Sequence, residues 1–453
     1  MTNTWLYILF VHAFTELSAE ESFALIETNF LDFQHCDSIK LVIIKNSFTD
    51  LRTMTESERA ILTNASENTP LRLCISTIYT GEKSDVGKIK FISSNKKFNY
   101  WQKAFDYVLK TYAADNYILY TYSHSNGFQI GAAETGFVLN SSGRLMHRKH
   151  NIPAHQPADF KKYFYRISNE RKNKFFFKGL SHTISFKNKS YEILHPVKLH
   201  IKKWPDTNST NGILVYDLAE YLRQKKITFR YIFLHNCAAL LLENIYHFNS
   251  FCEVIMGSAG NISKGLDACK RIYASIELNS NLTNITDSVR QSITNSLKET
   301  GNSGYKILMV KTEKFKPIMD CFTRIISRLN LLYTKNSSFN IHKLNMLSPE
   351  KEHFISPNSN DDLLQHYDFI ELLTELAHND SDTVILINNL KGLCKMSIFP
   401  LHNPVIDDYP SILFPYKHRY TFLSHLRSIF RKPENSFSDL TGYNKLIATI
   451  FLE

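Results

Sequence analysis

Several things are scarce in this chain of 453 residues. Glycine occurs 15 times and proline 13 times, too seldom for a fibrous or linker-dominated chain. The seven cysteines (Cys36, Cys74, Cys237, Cys252, Cys269, Cys321 and Cys394) contain no Cys-x-x-Cys pair. That argues against a zinc ribbon or a redox dithiol. Their irregular spacing in a chain this long also argues against a disulfide scaffold. No stretch reaches the ~18 consecutive apolar residues of a membrane span. No internal repeat and no low-complexity tract occurs. No Lys or Arg precedes Lys40, so the apolar run Trp5–Phe10 lacks the basic lead of a secretory signal. That run is read as a first buried strand, and a cytoplasmic location is expected.

What is present can build a core. Hydrophobic residues make up 43% and charged residues 21%, a balance that excludes a wholly disordered chain. The formal net charge is +10 and the sequence pI is near 9.0, which invites a polyanion-binding reading. The charge is not evenly spread. Residues 1–140 carry 12 basic and 15 acidic side chains, residues 141–329 carry 30 and 14, and residues 330–453 carry 11 and 14. The excess therefore lies in the middle, densest over Ser141–Lys178, where ten basic residues face only Asp159 and Glu170.

Apolar runs alternate with amphipathic stretches. Trp5–Phe14, Ile39–Lys45, Tyr117–Tyr122, Tyr231–Leu234 and Val254–Ser258 read as buried strands. Leu71–Tyr79 and Lys88–Ile92 read as a hairpin. Ser18–Phe33, Tyr100–Ala114, Ile213–Arg223 and Ala238–Phe248 read as helices, and residues 141–205 as irregular with short β pieces. Strands alternating with helices predict an α/β sheet covered on its faces. In such sheets function collects at the carboxyl ends of the strands.

Two strand ends carry reactive residues. One runs Tyr117–Tyr122 into Ser-His124-Ser125-Asn-Gly127; the other runs Phe229–Leu234 into His235-Asn236-Cys237. Adjacent parallel strands would set both ends on one rim. Histidine titrates near neutrality unaided, and a cysteine just ahead of a helix gains thiolate character. Together they are a covalent catalyst for acyl transfer. The backbone N–H of Cys237 and one from the Ser125–Gly127 turn are candidates for an oxyanion hole. His235 is read as structural, and Cys252 and Cys269 as inert.

These motifs resemble the clostripain family of cysteine peptidases, relatives of gingipains, legumains and caspases. The similarity extends to the opening TWLYILFVHAF, to Val254–Gly265 (VIMGSAGNISKG), to the helix opening at Tyr367-Asp368, and to Tyr409–Pro415 (YPSILFP). The resemblance implies a caspase-like, mostly parallel sheet flanked by helices, with a β-rich insertion and a C-terminal α/β extension. It implies His124 as general base and Cys237 as nucleophile. It also implies a basic P1 preference, with Asp267 or, failing that, Glu253 as the pocket carboxylate. The sequence departs from the family at His235, where Asp is usual, and at Ser125, where Gly is usual.

The expected division has a first half-core at 1–140, a basic insertion at 141–205, a second half-core at 206–330 and a bracing region at 331–453. The basic insertion contains RLMHRKH and FKKYFYR, sites such an enzyme would itself cut. The expected function is a cysteine endopeptidase acting on protein or peptide, self-processing or directed at a co-encoded partner in a bacterial defence pathway. No cofactor is implied. The rival reading is an inactive caspase-like binding module. Its basic middle, interleaved with Phe164, Tyr165 and Phe175–Phe177, would hold nucleic acid or protein.

Overall fold

A computed structural model describes residues 4–12, 38–50, 72–80, 87–93, 100–123, 127, 129–130, 137–139, 145–147, 180–186, 189–195, 213–260, 262, 267–278, 285–299, 306–335, 364–378, 380–401, 408–415 and 437–452. The expected helix Ser18–Phe33 lies outside these residues.

One nine-stranded sheet organises the molecule. Its strands are β1 (Trp5–His12), β2 (Ile39–Asp50), β3 (Arg72–Thr80), β4 (Gly87–Ser93), β5 (Asn116–Tyr122), β6 (Phe229–His235), β7 (Cys252–Ser258), β8 (Ile307–Lys311) and β9 (Ile398–Pro400). Their spatial order is β9-β8-β7-β6-β5-β1-β2-β3-β4. The five central strands, β2, β1, β5, β6 and β7, run parallel. The edge strands on either side run antiparallel to their inner neighbours. This is the mostly parallel α/β sheet expected, and β3–β4 is the expected hairpin.

The central position of β1 follows from its sequence. All eight residues, WLYILFVH, are buried, as a strand with helices on both faces requires. Alternate side chains enter opposite cores. Leu6, Ile8 and Phe10 join Leu119, Ile232 and Leu234 on one face. Tyr7, Leu9 and Val11 join Tyr120, Phe233 and Met256 on the other.

Eight helices matter for the argument: α1 (Tyr100–Thr111), α2 (Val215–Gln224), α3 (Leu242–Phe248), α4 (Asp267–Leu278), α5 (Ile285–Glu299), α6 (Phe315–Lys335), α7 (Phe369–Leu376) and α8 (Ser381–Lys395). Helices α1, α2, α3, α6, α7 and α8 supply side chains to the first core. α4 and α5 supply them to the second. α1 shows the pattern plainly: Trp101, Ala104, Phe105 and Val108 are buried at helical spacing. Each large apolar side chain so buried contributes about 1.5–3 kcal/mol.

Within the insertion, Leu180–Phe186 pairs antiparallel with Lys189–His195; Phe137–Leu139, just ahead of it, pairs antiparallel with Leu145–His147 at its start. Towards the C-terminus, Leu364–Asp368 pairs antiparallel with Ser411–Pro415. Asp368 caps α7 by accepting from the N–H groups of Ile370 and Glu371 at 2.9 and 3.1 Å. The sheet draws strands from all three large segments of the chain, 1–140, 206–330 and 331–453.

Candidate active site

Strands β5 and β6 are adjacent and parallel, and their last paired residues are Tyr122 and His235. One residue further on each strand stand Ser123 and Asn236, and two further stand His124 and Cys237. Neighbouring strands lie about 4.8 Å apart, so both motifs leave the sheet at one rim and one level. His124 and Ser125 themselves lie outside the described residues. Gly127 is buried with φ 97°, a backbone conformation that glycine adopts without strain.

Cys237 is half-buried, whereas Cys252, Cys269, Cys321 and Cys394 are buried. Burial pushes the Cys252, Cys321 and Cys394 thiols up, and the Cys269 thiol up to about 12. These four are held as neutral thiols. Of the five cysteines whose side chains are described, Cys237 alone is not buried.

The loop after Cys237 differs from expectation. α3 begins at Leu242, not at Ala238, and Leu241 supplies no side-chain cap. Ala238 is left-handed, with φ 50°. Its N–H donates to the Gly260 carbonyl at 2.6 Å, and the Leu240 N–H donates to the Ser258 carbonyl at 3.0 Å. The segment therefore runs along the end of β7 before it turns helical. No helix start abuts the thiol, so the helix-terminus argument for its acidity does not apply. The Ala238 and Ala239 N–H groups are bonded to the Gly260 and Asn236 carbonyls, which removes them as oxyanion donors.

A set of buried and half-buried polar side chains stitches the rim together. Asn236 is fully buried; its Nδ2 donates to the Ser123 carbonyl at 2.9 Å, and its Oδ1 accepts from Thr121 Oγ1 at 2.5 Å. Asn244 Nδ2 donates to the carbonyls of Gly127 and Ala239, each at 2.7 Å. Ser123 Oγ donates to the His12 carbonyl at 2.5 Å. His12 Nδ1 meets Asn46 Nδ2 at 2.9 Å, and Ser76 Oγ donates to Asn46 Oδ1 at 2.6 Å. From the C-terminal side, Ser411 Oγ donates to the Ala259 carbonyl at 2.8 Å, and its N–H to the Leu240 carbonyl at 3.2 Å. Sequence reading missed Asn236, Asn244 and Ser411. The signal for Asn244 was a polar amide inside an otherwise apolar stretch.

His235 is buried. Its Nδ1 is hydrogen-bonded to the Tyr120 hydroxyl, and its ring packs on Tyr120, Tyr122 and Phe233. These ring partners belong to the second core. Asp267 opens α4, and its side chain lies outside the described residues. Glu253 stands at the amino end of β7, ion-paired with Arg230. At ~3.3 Å per residue that is about 17 Å from the carboxyl end, on the far rim from Cys237, so Glu253 is not a pocket carboxylate. Among the described residues no cluster of His, Cys, Asp and Glu could hold a metal ion, and no described helix is long and apolar enough to cross a membrane.

The architecture has a close parallel among solved structures. A secreted C11 cysteine protease from Bacteroides thetaiotaomicron, determined with an irreversible peptide inhibitor, matches over 98% of this chain and 99% of its own, at TM-score 0.51 and 9% identity. This chain has the fold of the C11, or clostripain-family, cysteine proteases. Weaker matches are an inactive zymogen C11 protease from Parabacteroides distasonis and another structure of a secreted C11 protease from Bacteroides thetaiotaomicron. The first has TM-score 0.47, 14% identity and coverage of 93% and 91%; the second has 0.45, 9%, and 93% and 89%. No protein-family model matches the chain, and no curated protein matches it by sequence.

The C11 match corrects the cytoplasmic expectation. The structure that shares this fold over nearly its whole length is a secreted protease. The expectation had treated the missing basic lead before Trp5 as a sign of retention. Trp5–His12 is a buried central strand of the sheet, and that placement carries no information on location.

Proposed function

We propose that this chain is a cysteine endopeptidase with Cys237 as nucleophile and His124 as general base. The supporting observation is the register of β5 and β6, which ends both motifs at the same level of one rim. In the reaction, the imidazole takes the thiol proton and the thiolate attacks the peptide carbonyl. The tetrahedral oxyanion collapses, the imidazolium protonates the leaving amine, and a thioester remains. Water, deprotonated by the same imidazole, then releases the acid and restores the thiol. The Cys237 N–H and an N–H of the Ser125–Gly127 turn are the proposed oxyanion donors. Acyl transfer of this kind needs no metal or organic cofactor.

Asp267 is proposed as the carboxylate that pairs with a basic P1 side chain. The basic segment Ser141–Lys178 is then a self-cleavage substrate. The test uses fluorogenic peptides with Arg, Lys or Asp at P1, with Cys237→Ala and His124→Ala beside the native chain. Cleavage after Arg or Lys that both substitutions abolish is expected. Cleavage retained by Cys237→Ala overturns the assignment. No cleavage of any peptide, together with salt-dependent RNA or DNA binding, replaces it by the binding-module reading.

A further inference from the structure

The proposed chemistry needs two groups on separate strand ends to meet within hydrogen-bonding distance. The sheet alone fixes the strands, not the loops beyond them. Two asparagines outside the dyad join those loops. Asn236 directly precedes Cys237, and its amide donates to the carbonyl of Ser123, the residue directly before His124. Asn244 lies on α3 and spends both protons of one amide nitrogen, one on the Gly127 carbonyl and one on the Ala239 carbonyl. Ser123 and Gly127 bracket His124 in the sequence; Asn236 and Ala239 bracket Cys237. Each asparagine therefore spans from the histidine-bearing segment to the cysteine-bearing loop, one before the dyad and one after it. Both are buried, at 0% and 3% exposure, so water cannot take over their bonds.

We propose that Asn236 and Asn244 are positioning residues that lock the His124 segment to the Cys237 loop and set the separation of the dyad. The proposal rests on the endopeptidase reading above. The chemistry required is that of an amide. Asn244 faces two carbonyl oxygens, which an ionised carboxylate would repel. Asn236 faces a carbonyl and a hydroxyl, so it must donate and accept at once. A hydroxyl side chain at either position would not reach across.

The experiment measures kcat, KM, the rate of Cys237 alkylation by iodoacetamide from pH 5 to 9, and the thermal midpoint. The chains are the native one, Asn244→Asp, Asn244→Ser, Asn244→Gln and Asn236→Ser. The expected result for Asn244→Ser and Asn236→Ser is a loss in kcat on the order of 10²-fold, the cost of a ~1 Å misplacement, with KM within about threefold. Their alkylation profiles move toward that of an ordinary thiol. Asn244→Gln keeps both donors and recovers at least about tenfold over Asn244→Ser. For Asn244→Asp the ratio of variant to native kcat rises as pH falls, because the buried carboxyl protonates and donates again. Should Asn244→Asp not fold, the serine variants carry the same measurement. Folded serine variants with native kcat and alkylation profile would overturn the clamp while leaving the endopeptidase standing. If native Cys237 itself alkylates as an ordinary thiol and Cys237→Ala still cleaves, the endopeptidase reading fails and the clamp with it.

Discussion

Gly257 sits opposite Leu234 in the β6–β7 ladder, immediately beneath the loop that carries Cys237. A Cβ at this position would stand 3.1 Å from the Leu234 carbonyl oxygen, 3.3 Å from Leu234 Cβ and 3.4 Å from Leu240 Cβ. Leu234 belongs to a strand hydrogen-bonded on both sides and cannot retreat. Leu240 belongs to the loop, so the loop gives way. Overfilling a packed site of this kind costs about 1–3 kcal/mol. Gly257→Ala is therefore expected to destabilise the chain by that amount and to lift the loop away from β7. Thermal melting reads this poorly. Unfolding entropy of ~2.1 cal/mol/K per residue makes 1 kcal/mol equal to about 1 °C in a chain of this length. Hydrogen exchange reads it well. The Leu240 N–H bonds the Ser258 carbonyl at 3.0 Å, and 1–3 kcal/mol of local loosening speeds its exchange about 5- to 150-fold. Gly392→Ala is the control of opposite sign. Gly392 lies within α8 with nothing within 4 Å of its would-be Cβ, and alanine there should stabilise by about 0.5–1 kcal/mol. Unchanged Leu240 exchange in Gly257→Ala would refute the packing argument.

Two further outcomes follow from the side-chain environments. In the folded chain, iodoacetamide should modify Cys237 well before Cys252, Cys269, Cys321 or Cys394, because burial holds those four as neutral thiols; peptide mapping after brief labelling checks this, and early modification of Cys252 would contradict it. Asp380 accepts from Arg328 at 3.1 and 3.2 Å and from Thr383 at 3.0 and 2.6 Å, and its carboxyl is held down to about 2, first by the Arg328 hydrogen bond. A depressed carboxylate stabilises above its unfolded value of ~3.9, and the contribution is lost as pH falls toward 2. Asp380→Asn should thus narrow its stability gap to the native chain between pH 4 and pH 2 in acid denaturation; the gap is at most about 1 kcal/mol, because the pair is solvent-screened.

Much of the sheet was legible because its strands are short and nearly all apolar. Trp5–His12, Tyr117–Tyr122 and Val254–Ser258 announce themselves as runs too short for helices and buried on both faces. The spacing of Trp101, Phe105 and Val108 marks α1 in the same direct way. The loop after Cys237 was not legible. Ala238 and Ala239 are the strongest helix formers and precede three leucines, so local propensity favours a helix from Ala238. Tertiary bonding overrides it. A left-handed alanine costs about 1–2 kcal/mol, offset by bonds from Ala238 and Leu240 to the end of β7. Those partners lie some twenty residues downstream, beyond any local window. The same limit hid Asn244 and Ser411, whose roles depend on loops that the chain brings near only in the fold.

The departure at His235 has a consequence that can be tested against the family pattern. Clostripain relatives typically place an aspartate two residues before the cysteine, and on that pattern alone His235→Asp would restore a lost support. The surroundings say otherwise. The side chain points into the second core, bonded to the Tyr120 hydroxyl and packed by Tyr120, Tyr122 and Phe233. The Cys237 loop is held by Asn236, Asn244, Ser258, Gly260 and Ser411. A carboxylate among these rings would be desolvated, and its pKa would rise. The folded chain would then bind a proton that the unfolded chain has released above pH ~4. Stability of His235→Asp relative to the native chain should fall as pH rises, by up to about 1.4 kcal/mol per pH unit until the buried group ionises. Urea midpoints at pH 5, 6 and 7 measure that slope, and peptide cleavage should decline rather than improve. A stability difference flat in pH, with cleavage raised, would show that the aspartate reaches the Cys237 loop after all.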